Sequence, residues 1–314
     1  MDLKQIYGEL SPRIDKNRMF PDAPMKDYTS FKAGGNAALL VEPENAGELA
    51  YALNVLTRYG VEHMVIGNGS NLLVRDSGYR GVIIRISEPF RKIRITDSLI
   101  EAEAGVLLSA AANAAAEASL TGFEFASGIP GTIGGAVFMN AGAYDGEISQ
   151  IIETAEILAK DGSRTFTLNK DELKLSYRHS ILQETGDILL KAAFRLEKGD
   201  REKIDARMRE LTARRTEKQP LSFPSAGSFF KRPHNHFAGK LIQDAGLSGL
   251  SVGGARISPL HAGFIINTGG ATATDIINLM EIVRSTVFSE FGILLEPEVR
   301  IIGEISHETS SRNG

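Results

Sequence analysis

The chain contains no cysteine, which excludes disulfides, thiolate catalysis and cysteine-based metal sites and agrees with a reducing compartment. No segment approaches about 18 consecutive apolar residues, and the opening Met1-Asp2-Leu3-Lys4-Gln5 lacks an apolar signal core. A cytoplasmic protein with no membrane partner is expected. Positive charge is not in excess either. The formal net charge of −4 gives no electrostatic case for nucleic acid or an anionic membrane as principal partner. A small-molecule partner is expected, and no obligatory protein partner is inferred.

Glycine is what the chain has in quantity, 32 of 314 residues, within an ordinary 42% hydrophobic and 24% charged composition. A chain of this length can form two or three lobes, each with its own core. The glycines concentrate in Ser127-Gly128-Ile129-Pro130-Gly131-Thr132-Ile133-Gly134-Gly135-Ala136-Val137-Phe138-Met139-Asn140-Ala141-Gly142-Ala143-Tyr144. Such a run is expected to be neither an ordinary helix nor a packed strand. A second loop, Gly67-Asn68-Gly69-Ser70-Asn71-Leu72, follows the strand-like Met64-Val65-Ile66. Glycine admits positive φ and close approach of a ligand, and consecutive free N–H groups form nests for phosphate oxygens. One such run alone is more often a plain tight turn; two suggest a pyrophosphate held between them. Neither loop fits the common fingerprints. Leu72 stands where the dinucleotide motif needs its third glycine, and Gly239-Lys240 is followed by Leu241 rather than by Ser or Thr.

Local patterns alternate between helix and strand. Asn45-Ala46-Gly47-Glu48 reads as a capping box ahead of Leu49, Leu53 and Leu56 on one helical face, ending at Gly60. Strands are expected at 61–66, 81–86, 99–104, 151–158, 188–194 and 263–267, with an alanine-rich helix at 107–120 and a charged connecting helix at 200–218. A helix is expected at 237–245, and Thr272-x-x-Asp275 caps a last one whose Ile276, Met280, Val283 and Val287 form an apolar stripe stopped by Gly292.

These landmarks, with Thr29-Ser30-Phe31-Lys32-Ala33-Gly34-Gly35, Ser176-Tyr177-Arg178-His179-Ser180, Lys218-Gln219-Pro220, Ser225-Ala226-Gly227-Ser228-Phe229-Phe230-Lys231, His261-Ala262-Gly263-Phe264 and Leu295-Glu296-Pro297-Glu298-Val299-Arg300, span nearly the whole chain. The sequence resembles the UDP-N-acetylenolpyruvoylglucosamine reductases, the MurB family, in the shorter subtype without a tyrosine loop, within the vanillyl-alcohol-oxidase-like group of FAD proteins. The resemblance implies an α+β fold, a two-part FAD-binding region followed by a smaller α+β substrate domain. The expected divisions are 1–88, 89–215 with the connecting helix, 216–305, and a polar tail at 306–314. Asp145 stands where the family pattern has glycine, a departure expected to alter the turn after the second loop.

The resemblance also assigns chemistry that the residues alone leave open. Ser228 on its own reads as a turn serine, Glu298 as a partner for Arg300, and Arg178 as a surface cation. In the resembling enzymes they are, in turn, the proton donor, a carboxyl that polarises substrate and stabilises the enol-like intermediate, and the guanidinium that meets the enolpyruvyl acid. The implied reaction is reduction of UDP-N-acetylglucosamine enolpyruvate to UDP-N-acetylmuramate in peptidoglycan precursor synthesis. NADPH is the reductant of noncovalent FAD, hydride reaches the enolpyruvyl C3, and Ser228 protonates C2. The cofactor contacts are expected from Gly67, Asn68, Gly69, Ser70, Asn71, Leu72, Gly128, Ile129, Pro130, Gly131, Thr132, Gly134, Gly135, Ala136, Asn140, Ala141 and Gly142. Tyr177, Lys218 and Lys231 are candidates for substrate binding, although both lysines lie among other charges. His234 and His236 lack a neighbouring carboxylate cluster, so no metal is expected. The rivals are another FAD oxidoreductase with a different acid substrate and a non-catalytic nucleotide-binding protein, which would not need Ser228 and Glu298 together.

Overall fold

In the computed structural model, which describes residues 3–304, helices and strands alternate along the chain and gather into two units. The polar tail expected at 306–314 lies outside the described residues. One unit is assembled from the residues up to 20, from 40–70 and from 82–219; the other from 21–39, 71–81 and 220 onward.

In the first unit the Ala46–Arg58 helix starts where the sequence placed it, with the Glu48 N–H donating to Asn45 Oδ1 at 3.0 Å. The reciprocal half of the capping box is displaced by one residue, because the Glu48 carboxylate accepts from Glu44 N at 2.8 Å. Leu49, Leu53 and Leu56 are buried as the stripe requires. Strand His63–Ile66 then runs parallel to Tyr79–Arg85, in register from His63 opposite Val82 to Ile66 opposite Arg85. A five-stranded antiparallel sheet follows in the order Thr165–Asn169, Ile152–Leu158, Ile188–Arg195, Leu99–Glu103, Ile93–Thr96. Its period of two is visible in Leu99–Glu103, where Ile100 and Ala102 are buried while Glu101 turns outward to Lys191 at 3.2 Å.

The glycine-rich run departs from expectation. Ile133–Met139 is a helix, in spite of Gly134 and Gly135. Tertiary contact overrides propensity here: the Gly134 N–H donates to Ala104 O at 2.8 Å, and a Cβ at Gly134 would press on that oxygen at 3.2 Å. The alanine-rich helix is shorter than its pattern, Leu108–Glu117, and Leu120–Thr121 is a short strand paired with Glu197–Lys198. Helix Arg201–Lys218 buries Ile204 and Leu211 and is capped by Asp200.

In the second unit, strands Ser251–Val252, Ala255–Ile257 and Ile265–Asn267 form one antiparallel sheet, and Leu72–Val74 pairs parallel with Arg300–Ile302. The strand expected from Gly263 begins only at Ile265, because the Phe264 N–H is turned back to His261 O at 3.0 Å. Helices Ala238–Asp244 and Ala273–Phe291 enclose a core of Phe31, Phe229, Ile257, Ile276, Val283 and Val287. The capping box of Thr272 with Asp275 is complete and Gly292 closes the helix in the left-handed region, both as the sequence indicated. A third element was not legible. Asp76 accepts from Ala273 N at 2.8 Å, Thr274 N at 2.7 Å and Thr274 Oγ1 at 2.6 Å, placing a carboxylate from a distant segment on the positive end of the helix dipole.

The Thr272 N–H holds the Asp275 carboxyl below the usual carboxylate range, so the stability Asp275 contributes is present above its unfolded value and is lost as pH falls through its folded one. Replacing Asp76 by Ala strips three bonds from the same helix start. It should lower unfolding free energy by about 1–2 kcal/mol, the usual scale for a lost N-cap, as read by urea denaturation; an unchanged midpoint would show that water replaces this carboxylate without cost.

Candidate functional site

The two glycine loops meet within the first unit. A Cβ on Gly67 would overlap Thr132 Oγ1, so the first loop can pass the second only with a bare Cα there. Gly69 adopts φ +62°, and Ser70 Oγ lies 3.4 Å from where a Cβ of Gly131 would project. Among the described residues the N–H groups of Gly67, Asn68, Gly69, Gly128 and Gly131 donate to no protein acceptor. This is the arrangement of free donors that an anionic phosphate requires. By contrast, Ile133, Gly134 and Ala136 donate to Val106 O, Ala104 O and Thr132 O. Gly134, Gly135 and Ala136 therefore lie inside a helix whose start is already tied down, while Ile129 and Pro130 carry the chain across the loop.

Two further groups fit an anionic cofactor here. Ser127 Oγ is buried with no hydrogen-bond partner among the described residues, a cost of roughly 1–3 kcal/mol unless a ligand satisfies it. Arg215, in the last turn of helix Arg201–Lys218, lays its guanidinium against Gly128, within 3.0 Å of where a Cβ would stand. Its Nε donates to Gln219 Oε1 at 2.8 Å, and no carboxylate of the described residues pairs with it. Burial pushes the guanidinium below the usual arginine range, and a cation in this position could meet an anionic ligand. The sequence hid Arg215 among the other charges of its helix; its one distinguishing mark is its place just ahead of Lys218-Gln219-Pro220.

Asn140 ends the Ile133–Met139 helix at φ +42°, fully buried. Its Nδ2 donates to Glu147 Oε1 at 3.1 Å and Ser176 O at 3.0 Å, while Oδ1 accepts from Ser149 N at 2.8 Å. The side chain is thus a hub that joins the second loop to the 176–179 turn. Ala141 donates to Ala136 O, and Gly142 pairs with Glu147 in a small hairpin. In that hairpin Tyr144, at φ +57°, takes the left-handed position, and Asp145 ion-pairs with Arg207 at 3.3 Å. Arg178 sits in the 176–179 turn at φ +56° with its guanidinium over the Tyr177 ring. The turn is clamped by the mutual Ser176–His179 bonds, by Gln183 donating to Arg178 O at 3.0 Å and Phe138 O at 2.8 Å, and by Ser180 Oγ to Phe138 O at 2.7 Å. Tyr177 is exposed, as is Lys218 at its helix end.

The second unit ties the backbone of Glu298 to Phe229, the residue that follows Ser228. Phe229, fully buried, donates its N–H to Gly263 O at 2.8 Å and accepts from Glu298 N at 2.8 Å. Ser228 precedes that pinned residue; it is exposed, and its hydroxyl makes no hydrogen bond among the described residues. Asn71 Nδ2 donates to Glu298 O at 3.1 Å, so this member of the expected cofactor loop braces Glu298. Leu72 is a buried strand residue opposite Arg300. Lys231 is ion-paired with Glu296. His234 and His236 are exposed, and the described residues hold no group of three or more His, Cys, Asp or Glu arranged for a metal.

Residues 37–167, which carry both loops, match the FAD binding domain family; with the donor cradle described above, they make the chain an FAD-containing oxidoreductase. Residues 219–302, which carry Ser228 and Glu298, match the UDP-N-acetylenolpyruvoylglucosamine reductase C-terminal domain family. The chain is 49% identical to the UDP-N-acetylenolpyruvoylglucosamine reductase of Alkaliphilus oremlandii over 97% of its length and all of the relative's. It is 52% identical to that of Clostridium botulinum strain Alaska E43 over the same shares. The crystal structure of MurB from Thermus caldophilus superposes with a TM-score of 0.77 at 36% identity, covering 89% of this chain and 97% of that one. The chain belongs to the UDP-N-acetylenolpyruvoylglucosamine reductase, or MurB, family.

Gly69→Val forces a branched side chain into a left-handed backbone, a strain of about 1–3 kcal/mol, and Arg215→Gln removes the half-buried cation. Each should weaken FAD binding by roughly 10- to 100-fold, since about 1.4 kcal/mol is a factor of ten. Titration of flavin-stripped protein measures this directly; wild-type affinity in both variants would rule out the cradle.

Proposed function

We propose that Ser228, Glu298 and Arg178 carry the reduction of UDP-N-acetylglucosamine enolpyruvate to UDP-N-acetylmuramate, and that the loops at 67–72 and 128–136, with Arg215, retain the cofactor. The observation that carries the reading is the Phe229 residue bonded to Glu298 on one side and followed back to the free hydroxyl of Ser228 on the other. Bound by the loops at 67–72 and 128–136 with Arg215, FAD would supply the hydride chemistry, carrying two electrons from NADPH to C3 of the enolpyruvyl group. Hydride addition at C3 places negative charge on C2 and the adjoining carboxylate. Arg178, carried on a clamped turn, offers a planar pair of N–H donors to that carboxylate as the charge grows. The Glu298 carboxyl polarises the same group, and the Ser228 hydroxyl gives its proton to C2, completing the new C–H bond.

FAD is held without a covalent link, a reading supported by loops that contain neither histidine nor cysteine. We assign the segments 1–88 and 89–215 to cofactor binding and 216–305 to substrate binding. A cytoplasmic location is supported by the lack of cysteine, and among the described residues no helix is long and apolar enough to cross a membrane. The composition favours small-molecule partners over nucleic acid or lipid, given the net charge of −4.

Ser228→Ala should leave flavin bleaching by NADPH near normal while slowing its reoxidation by the enolpyruvyl sugar nucleotide by roughly 10²–10⁴-fold, the scale of a lost general acid. Anaerobic stopped-flow absorbance separates the two halves; equal losses in both would remove Ser228 from the proton-donor role. Glu298→Gln and Arg178→Lys should each slow the same half by roughly 10²–10³-fold, as for one lost contact to a developing oxyanion, with flavin content unchanged. Normal reoxidation in either variant would return that residue to a structural role.

A further inference from the structure

The 261–264 turn is bonded through Gly263 O to Phe229, the residue after Ser228, and the His261 imidazole takes up the Gly263 N–H. His261 Nδ1 accepts from Gly263 N at 3.1 Å, and the His261 carbonyl accepts from Phe264 N at 3.0 Å. The turn is anchored in its own right: Ser258 Oγ accepts from His261 N at 3.3 Å and from Leu260 N at 3.2 Å, and Ser258 N donates to Phe264 O at 2.9 Å. Gly263 then offers its carbonyl to Phe229 N at 2.8 Å, and Phe229 offers its own to Glu298 N at 2.8 Å. Only two backbone bonds in series separate the imidazole from Glu298, and the first of them ends on the residue next to Ser228. We propose, building on the catalytic reading of Ser228 and Glu298, that His261 is a positioning residue for that pair, fixing the Gly263 carbonyl on which the Phe229 backbone hangs.

The ring is placed for this task and little else. It packs edge-on against Phe264 with centroids 4.9 Å apart, and its Cε1 lies 3.2 Å from where a Cβ on Gly239 would stand, so the Ala238–Asp244 helix fixes it from the other side. An accepting Nδ1 requires a neutral imidazole with its proton on Nε2. Burial pushes His261 below the ordinary histidine range, which keeps that lone pair available. A plain packing role would be served by any ring of this size; the Nδ1 contact would not. Displacing a reacting group by about 1 Å can cost as much as a hundredfold in rate, so a slack turn would be felt at Ser228 well before it was felt in folding.

His261→Phe keeps a ring and loses the acceptor, whereas the Asn in His261→Asn returns an acceptor at nearly the same reach. In the flavin-loaded enzyme His261→Phe should slow reoxidation by the enolpyruvyl substrate by about 10- to 100-fold, leave FAD affinity and bleaching by NADPH within about twofold, and raise the solvent deuterium isotope effect on reoxidation. His261→Asn should restore that rate to within about threefold. If His261→Phe does not retain its flavin, His261→Gln, which carries the amide one bond too far, is read by the same criteria. Normal reoxidation in His261→Phe, an equally slow His261→Asn, or losses shared by both half-reactions would overturn the proposal. Ser228→Ala measured alongside tells the two failures apart. If it reoxidises normally the reading of Ser228 falls and this one with it; if it is slow while His261→Phe is normal, only the role of His261 falls.

Discussion

The close passage of Gly67 beside Thr132 is the constraint from which the cofactor half of the molecule follows. Without a Cβ at Gly67 the end of strand His63–Ile66 can reach the hydroxyl that starts helix Ile133–Met139. Because that helix start is itself bonded to Ala104 and Val106, both loops are fixed against the five-stranded sheet. Their N–H groups are left pointing at no protein acceptor as a result. Free backbone donors are costly in a protein interior, and they persist where the surrounding structure over-determines them and a ligand removes the cost. The opposite end of the same short helix is as constrained. Asn140 spends its whole amide on Glu147, Ser149 and Ser176, so the turn that carries Arg178 is an extension of the cofactor loop and not an independent surface feature.

The second unit uses a different device. There the backbone of Phe229 and Glu298 is bonded rather than left open. Phe229 uses both of its backbone groups, Glu298 is held by its N–H and its carbonyl, and Asn71 uses its side chain on Glu298 and its carbonyl on Arg300. What stays uncommitted is the Ser228 hydroxyl. On the proposed reading of Ser228 as proton donor, a rigid backbone beneath an uncommitted side chain would settle its alignment before substrate arrives. Burying the Phe229 ring against Phe31 and Phe230 supplies that rigidity through packing, with ring centroids 6.0 and 5.3 Å away.

Features that depend on near neighbours in sequence were legible; those that depend on distant ones were not. The Thr272–Asp275 capping box, the Gly292 stop and the buried stripe of Ile276, Met280, Val283 and Val287 could be read because each is set by spacing within one helix. Asp76 caps that same helix from almost two hundred residues away, and no local pattern encodes such a partner. The Ile133–Met139 helix was obscured for the complementary reason: two glycines lower its intrinsic propensity, and the Ala104 carbonyl that Gly134 makes room for is a distant partner no local pattern shows. The glycine loops announced themselves, yet Asn71, the last polar residue of the first, faces Glu298, because a loop's polar side chains can serve either end of it. The catalytic assignment of Ser228 and Glu298 came from resemblance, and the geometry adds only that the backbone beside each is tied to Phe229.

Arg215 shows how stability and cofactor retention are tied in this fold. A guanidinium drawn out of water without a carboxylate opposite it destabilises the free protein, and the depressed affinity of Arg215 for its proton has that origin. Replacing it with an apolar side chain of similar volume would relieve the penalty in the empty protein and forfeit the attraction in the loaded one. Ligand that binds only the folded state returns stability in proportion to its affinity. The cation, the orphaned hydroxyl of Ser127 and the loop amides without a protein acceptor share one property: on the proposed cofactor reading, an anionic nucleotide would satisfy them all. A fold built this way is most stable when loaded, so retention of the flavin and integrity of the cofactor unit are one thermodynamic property rather than two.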